Sequence, residues 1–127
     1  MSNWFDYVRF CYDLVIETES KINIMLEHDV EAYVVHLMAN NMERTDIGSK
    51  IIAIELMQAS QRKNKDEYRK IGDECLLIHS YPFKKQKWPS STYYQDMGTI
   101  AYGFAHHIME KKFTDASKII YSIFNRS

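Results

Sequence analysis

Proline and glycine are nearly missing from this chain, at two and four of 127 residues. A sandwich or barrel of that length needs more turn-forming residues, which argues against an all-β fold. Cysteine is just as scarce. Cys11 and Cys75 are too few for a disulfide framework and read as small reduced core residues. No apolar run approaches the roughly 18 residues of a membrane span, so no membrane insertion is expected. The opening Met1-Ser-Asn-Trp-Phe-Asp carries neither a basic n-region nor an apolar h-region. No export signal is therefore expected, and the cytoplasm is the expected compartment.

Signatures of chemistry are missing too. No Glu is followed three residues later by His, which removes the motif of carboxylate-bridged metal sites in bundles. There is no His-x-x-x-His pair, no Cys-x-x-Cys, and no glycine-rich phosphate loop. We expect no catalytic residues, no metal and no cofactor, and lean away from an enzyme.

What is present is ordinary globular material, 46% hydrophobic and 26% charged. Residues 1–127 are expected to form a single domain. The net charge of −1 hides a split: residues 1–61 carry 4 basic and 10 acidic side chains, residues 62–127 carry 12 and 7. Basic clusters occur at Arg62-Lys63-Asn64-Lys65 with Arg69 and Lys70, and at Lys84-Lys85-Gln86-Lys87. An anion-binding face is one reading. Acidic and basic halves facing one another, or solvated loops, is the plainer one. A pI near 6.5 speaks against a dedicated nucleic-acid binder.

Apolar spacing at i, i+3, i+4, i+7 predicts helices throughout. One runs from Asp29, as N-cap, to Met42, with Val30, Tyr33, Val34, Leu37 and Met38 inward. A second spans 46–62 with a wide apolar surface. A third spans 65–80, with Tyr68, Ile71, Cys75, Ile78 and His79 on one face and Gly72 on the same side. A fourth spans 91–111, with Tyr94, Met97, Ala101, Phe104 and Ile108 as core and Gly98 beside them. A fifth, capped by Thr114, spans 115–125 around Ala116, Ile119, Ile120, Ile123 and Phe124. Residues 3–18 favour a helix with Phe5, Val8, Cys11 or Tyr12, and Val15 inward, although Leu14–Ile16 and Ile22–Ile24 could be short strands. The fold expected is all-α, a single compact bundle of five or six helices. Gly72 and Gly98 are expected inside helices, where their helices approach closely.

Three groups could carry function. The first is Tyr81–Tyr94, which interleaves aromatics with lysines between the two prolines. Phe83, Lys84, Lys85, Lys87, Trp88 and Tyr93 are the candidate partner-binding residues, since Trp and Tyr dominate interface hot spots. Equally, the aromatics could plug the bundle end. The second is Cys75 with His79, four apart and hence neighbours on one face. A thiol beside an imidazole could be a nucleophile or half a metal site, but a core cysteine near a helix-end histidine is the commoner case. The third is His106 and His107, which point about 100° apart, so only one can face the core squarely.

Gly72-Asp73-Glu74-Cys75-Leu76-Leu77, Tyr81-Pro82-Phe83, and Tyr93-Tyr94-Gln95-Asp96-Met97-Gly98-Thr99-Ile100-Ala101-Tyr102 together resemble a pattern in small bacterial all-helical proteins. There a Gly-Asp-x-x-Leu helix precedes a Tyr-Tyr-x-x-Met-Gly-x-x-Ala-Tyr helix. The resemblance implies a bacterial helical protein and carries no activity with it. Asp73 has its own structural role available, as a helix-embedded acceptor for Tyr102 or Tyr94.

The function expected is a non-enzymatic protein-binding module: a regulator, adaptor or small secretion chaperone. The alternative is a small-molecule binder with a pocket between 65–80 and 91–111, lined by Asp73, Cys75, His79 and His106. Self-association as a homodimer is expected if the apolar faces of 46–62 and 115–125 exceed what the bundle covers.

Overall fold

The computed structural model describes residues 4–44, 58–60, 62, 64–80 and 91–125. Among them every regular element is helical. α1 spans Trp4–Ile22, α2 His28–Asn40, α3 Lys65–Ser80 and α4 Ser91–Phe104. A 3-10 turn at Ile108–Lys111 leads into α5, Phe113–Phe124. The bundle expected from the sequence is therefore the fold found. Residues 45–57 and 81–90, which hold most of the expected second helix and five of the six candidate binding residues, lie outside the described residues.

α1 and α2 form a helical hairpin. α1 buries Cys11, Val15 and Thr18, and α2 buries Val30, Val34, Leu37 and Met38, each set at helical spacing. α1 is longer than the 3–18 expected and leaves no strand at 22–24. It ends at Asn23, whose φ of 61° is the left-handed conformation Asn tolerates at a helix end. Ile24 N–H then reaches back to the Glu19 carbonyl at 3.1 Å. Glu27, not Asp29, occupies the α2 N-cap position, and it makes no side-chain cap. Asp29 lies in the first turn and accepts the Val30 N–H at 2.9 Å. Phe5 and Tyr12, expected inward, are 75% and 48% exposed, because the Cys11–Val15–Thr18 stripe takes the core.

α3 begins at Asn64, whose Oδ1 accepts the amides of Asp66 at 2.9 Å and Glu67 at 3.4 Å. It packs on α4 in the most extensive pairing among the described elements, and α5 touches α1, α3 and α4. The two glycines sit where expected. A Cβ at Gly72 would stand 2.6–2.9 Å from three ring carbons of Tyr102 on α4. One at Gly98 would run into the Phe113 ring and stand 2.8 Å from Cys75 Cβ on α3.

The expected helix over 91–111 is broken. His106 adopts φ 52°, and the His107 amide bonds back to the Tyr102 carbonyl at 2.9 Å, a left-handed helix stop without glycine. Ile108 falls on the far side of the break and is 45% exposed, while Phe104, the last residue of α4, lies against Tyr68 and is 51% exposed. Tyr102, Met109 and Phe113 take the core positions instead, each 2% exposed or less. Thr114 does not cap α5. Lys112 stands at that position, and the Thr114 hydroxyl accepts from Gln95 Nε2 at 3.2 Å. Ala116, Ile119, Ile120 and Ile123 are buried, with Phe124 40% exposed. The three isoleucines contribute about 2 kcal/mol each by burial. This stripe is thus covered within the chain, so it gives no reason for a second copy to pack there.

Candidate functional site

Two features stand out: a polar cluster around Asp73 and a groove on the α1–α2 hairpin.

Helical spacing puts Arg69 one turn before Asp73 on α3, and the α3–α4 contact brings Tyr102 over both. α2 adds Tyr33 from the other side. Asp73 Oδ1 accepts the hydroxyls of Tyr33 and of Tyr102, the latter at 2.7 Å, and Oδ2 accepts Arg69 Nη1 at 3.0 Å. Arg69 also meets Asp66 at 2.7 Å and the Tyr33 hydroxyl at 3.5 Å. His107 closes the cluster. Its ring stacks on Tyr102 at 5.3 Å and meets the Tyr33 ring at 4.5 Å. Its Nδ1 accepts the Met109 amide at 3.2 Å, so the neutral ring carries its proton on Nε2.

Burial sets the electrostatics here. It pushes the Asp73 carboxyl above its ordinary range, against the pull of Tyr33, Tyr102 and Arg69. Burial, then the Asp73 charge, pushes both tyrosine hydroxyls well up. Burial and the Arg69 charge lower His107. Both Asp73 oxygens are engaged, so the cluster is a lock tying α2, α3 and α4 together. A second tie joins Arg44, just past α2, to Glu74 on α3 through both guanidinium nitrogens.

The other residues expected to line an α3–α4 pocket are dispersed. Cys75 is fully buried against Gly98. His79 packs on the Phe113 ring at 5.7 Å. His106 is exposed at the helix stop. Tyr93 is half-buried and packs edge-on against Tyr94. Asp73 does take a bond from Tyr102, as its structural role required, while its second phenol comes from Tyr33 and not Tyr94. The first basic cluster is partly neutralised within its own stretch: Arg62 meets Glu67 at 2.9 Å and Lys70 meets Asp66 at 3.3 Å.

The second feature lies on α1. Trp4, Phe5, Phe10, Tyr12 and Ile16 are all 39–75% exposed, and Met25 in the following turn is 75% exposed. Phe5, Tyr12 and Ile16 stand at i, i+7 and i+11, hence on one face. Phe5 and Tyr12 border an open groove of about 510 Å³ whose α2 wall includes His28, Glu31, Val35 and His36. The open end is stitched. Trp4 stacks on His36 at 5.4 Å and donates to Asn40 Oδ1 at 2.6 Å, and Tyr7 donates to Glu43. The hairpin is therefore held in shape while its apolar edge stays open. Sequence reasoning missed this edge. Its one available sign was that α1 has more large apolar residues than a single face can bury.

No protein-family model, curated protein or solved structure matches the chain. No helix among the described residues is long and apolar enough to cross a membrane. No group of three or more His, Cys, Asp or Glu side chains among them is placed to hold a metal ion.

Proposed function

We propose that this chain is a non-enzymatic protein-binding module of a bacterial cytoplasm, a regulator, adaptor or small secretion chaperone, whose docking surface is the outer edge of the α1–α2 hairpin. The observation that supports it is the exposed Phe5–Tyr12–Ile16 stripe beside the groove. Contiguous exposed apolar surface of this kind marks interaction sites. Two parallel walls with anchors at helical spacing suit the apolar face of an amphipathic helix from another protein. Asp6, Arg9 and Glu31 along the groove supply polar groups of both signs to fix its register. The Phe83–Trp88 segment is proposed from its sequence as a second contact. We also propose kinship with the small bacterial helical proteins that share the Gly72–Leu77 and Tyr93–Tyr102 patterns.

The test is affinity capture with tagged wild type and a Phe5→Asp/Tyr12→Asp double variant. Both side chains are exposed, so the double variant should melt within about 1–2 °C of wild type, as surface substitutions do. It should lose a protein that wild type and an Ile100→Asp control both retain. Equal capture by the double variant would refute the assignment.

A further inference from the structure

We propose that Glu19 and Glu31 hold one proton between them across the α1–α2 contact, making the hairpin an element that tightens in acid and loosens as that proton leaves. Glu19 is 1% exposed and Glu31 9%. Glu19 Oε2 accepts the Leu26 N–H at 2.8 Å. Its other oxygen, Oε1, is buried and finds no donor. Across the contact the Glu31 carboxyl lies within hydrogen-bonding reach of Glu19, with the His28 imidazole also acting on it. Two ionised carboxylates in contact repel, whereas one proton converts the pair to an O–H···O bond and supplies the missing donor.

The surroundings agree. Burial and then Glu31 push the Glu19 carboxyl above its ordinary range, while the Leu26 amide and the His28 imidazole pull the other way. Lys112, just before α5, is held on Glu27 at 3.1 Å.

The position matters mechanically. The Glu19 side chain holds Leu26, and its carbonyl holds Ile24 at 3.1 Å, so one residue fixes the whole turn around the left-handed Asn23. Glu31 also lines the groove. The consequence that groove shape follows the proton rests on the docking reading; the proton sharing does not.

The folded state binds this proton more tightly than the unfolded chain. Its stabilisation is therefore complete below the ordinary glutamate range, about pH 4.3, and is lost as pH rises through the raised value. The test uses the free chain without any partner, so it stands apart from the docking reading. Melting temperature and exchange of the Leu26 amide are followed from about pH 5 to about pH 8. Wild type should lose both melting temperature and Leu26 protection with rising pH. Glu19→Gln keeps an acceptor for Leu26 and gives Glu31 a permanent N–H donor, so both slopes should flatten and the upper-pH melting temperature should rise. Glu31→Gln should do the same from the other side. Wild-type slopes retained in both variants, or either variant melting below wild type at the upper pH, would overturn the proposal.

Discussion

Replacing Gly98 with alanine tests most sharply how α3, α4 and α5 meet. In an open helix the change should stabilise by up to about 1 kcal/mol, since glycine is the poorer helix former. At this position the new methyl would run into the Phe113 ring and lie 2.8 Å from Cys75 Cβ. Neither neighbour can move cheaply. Cys75 Cβ is fixed to the α3 backbone. Phe113 is 2% exposed and caught between His79 at 5.7 Å and Tyr102 at 6.3 Å. Relief therefore requires α3 or α5 to shift. The upper end of the overpacking range applies, about 3 kcal/mol, leaving a net loss of about 2 kcal/mol after the propensity gain. For a domain of this size that corresponds to a melting temperature lower by about 8 °C. Gly72→Ala should lose about 1–2 kcal/mol, because all three close atoms belong to the Tyr102 ring and its hydroxyl is pinned on Asp73. Circular dichroism melts and urea titrations of both variants give the values. An unchanged or raised melting temperature for Gly98→Ala would refute the close approach and the packing built on it.

Asp73→Ala should destabilise by about 2–4 kcal/mol in urea titration, since it strands the buried Tyr102 hydroxyl and the Arg69 charge. Tyr102→Phe should cost about 1–3 kcal/mol by removing one of the Asp73 donors. In a spectrophotometric titration of the nine tyrosines, Tyr33 and Tyr102 should stay protonated after exposed phenols have ionised. Their raised values mean that stability falls as pH rises past about 10. Ionisation of all nine in one step while the fold persists would contradict this. His107 has the opposite sign. Its folded value is depressed, so the stability it contributes is present above about pH 6.5 and lost as pH falls, and its ring resonances should titrate below that point by NMR.

Much of the architecture was legible because helical periodicity and scarce glycine leave few alternatives. The inward faces of α2 and α3 follow directly from Val30–Met38 and Tyr68–Ile78. Gly72 and Gly98 stood out because a glycine on an apolar helix face costs stability unless a neighbour needs the space. The end of α4 was not legible. Its stop uses His106 in a left-handed conformation, where no Gly or Pro signals a boundary. That one residue also turns Ile108 out of the core. In α1 the apolar residues surround the helix, so periodicity could not tell Phe5 and Tyr12 from Cys11 and Val15. Glu19 lies in the polar run Glu17–Lys21, where nothing local marks one acid for burial. Its burial depends on α2 folding back over it, a long-range event that no local pattern encodes. Asp73 was found together with one of its two phenols, since Tyr102 shares its neighbouring helix. Tyr33, forty residues away, was not.

Photo-crosslinking from the groove edge tests the docking assignment most directly. A benzophenone-bearing residue is placed at position 5, at position 12, and at position 100 as a control on the exposed side of α4. Adducts formed in living cells are then mapped by mass spectrometry. The expected result is one partner protein joined to positions 5 and 12 but not 100, with attachment sites at i, i+3 or i+4, and i+7 along a single helix of that partner. Adducts spread over many proteins, adducts only to a second copy of this chain, or equal yield from position 100 would contradict it.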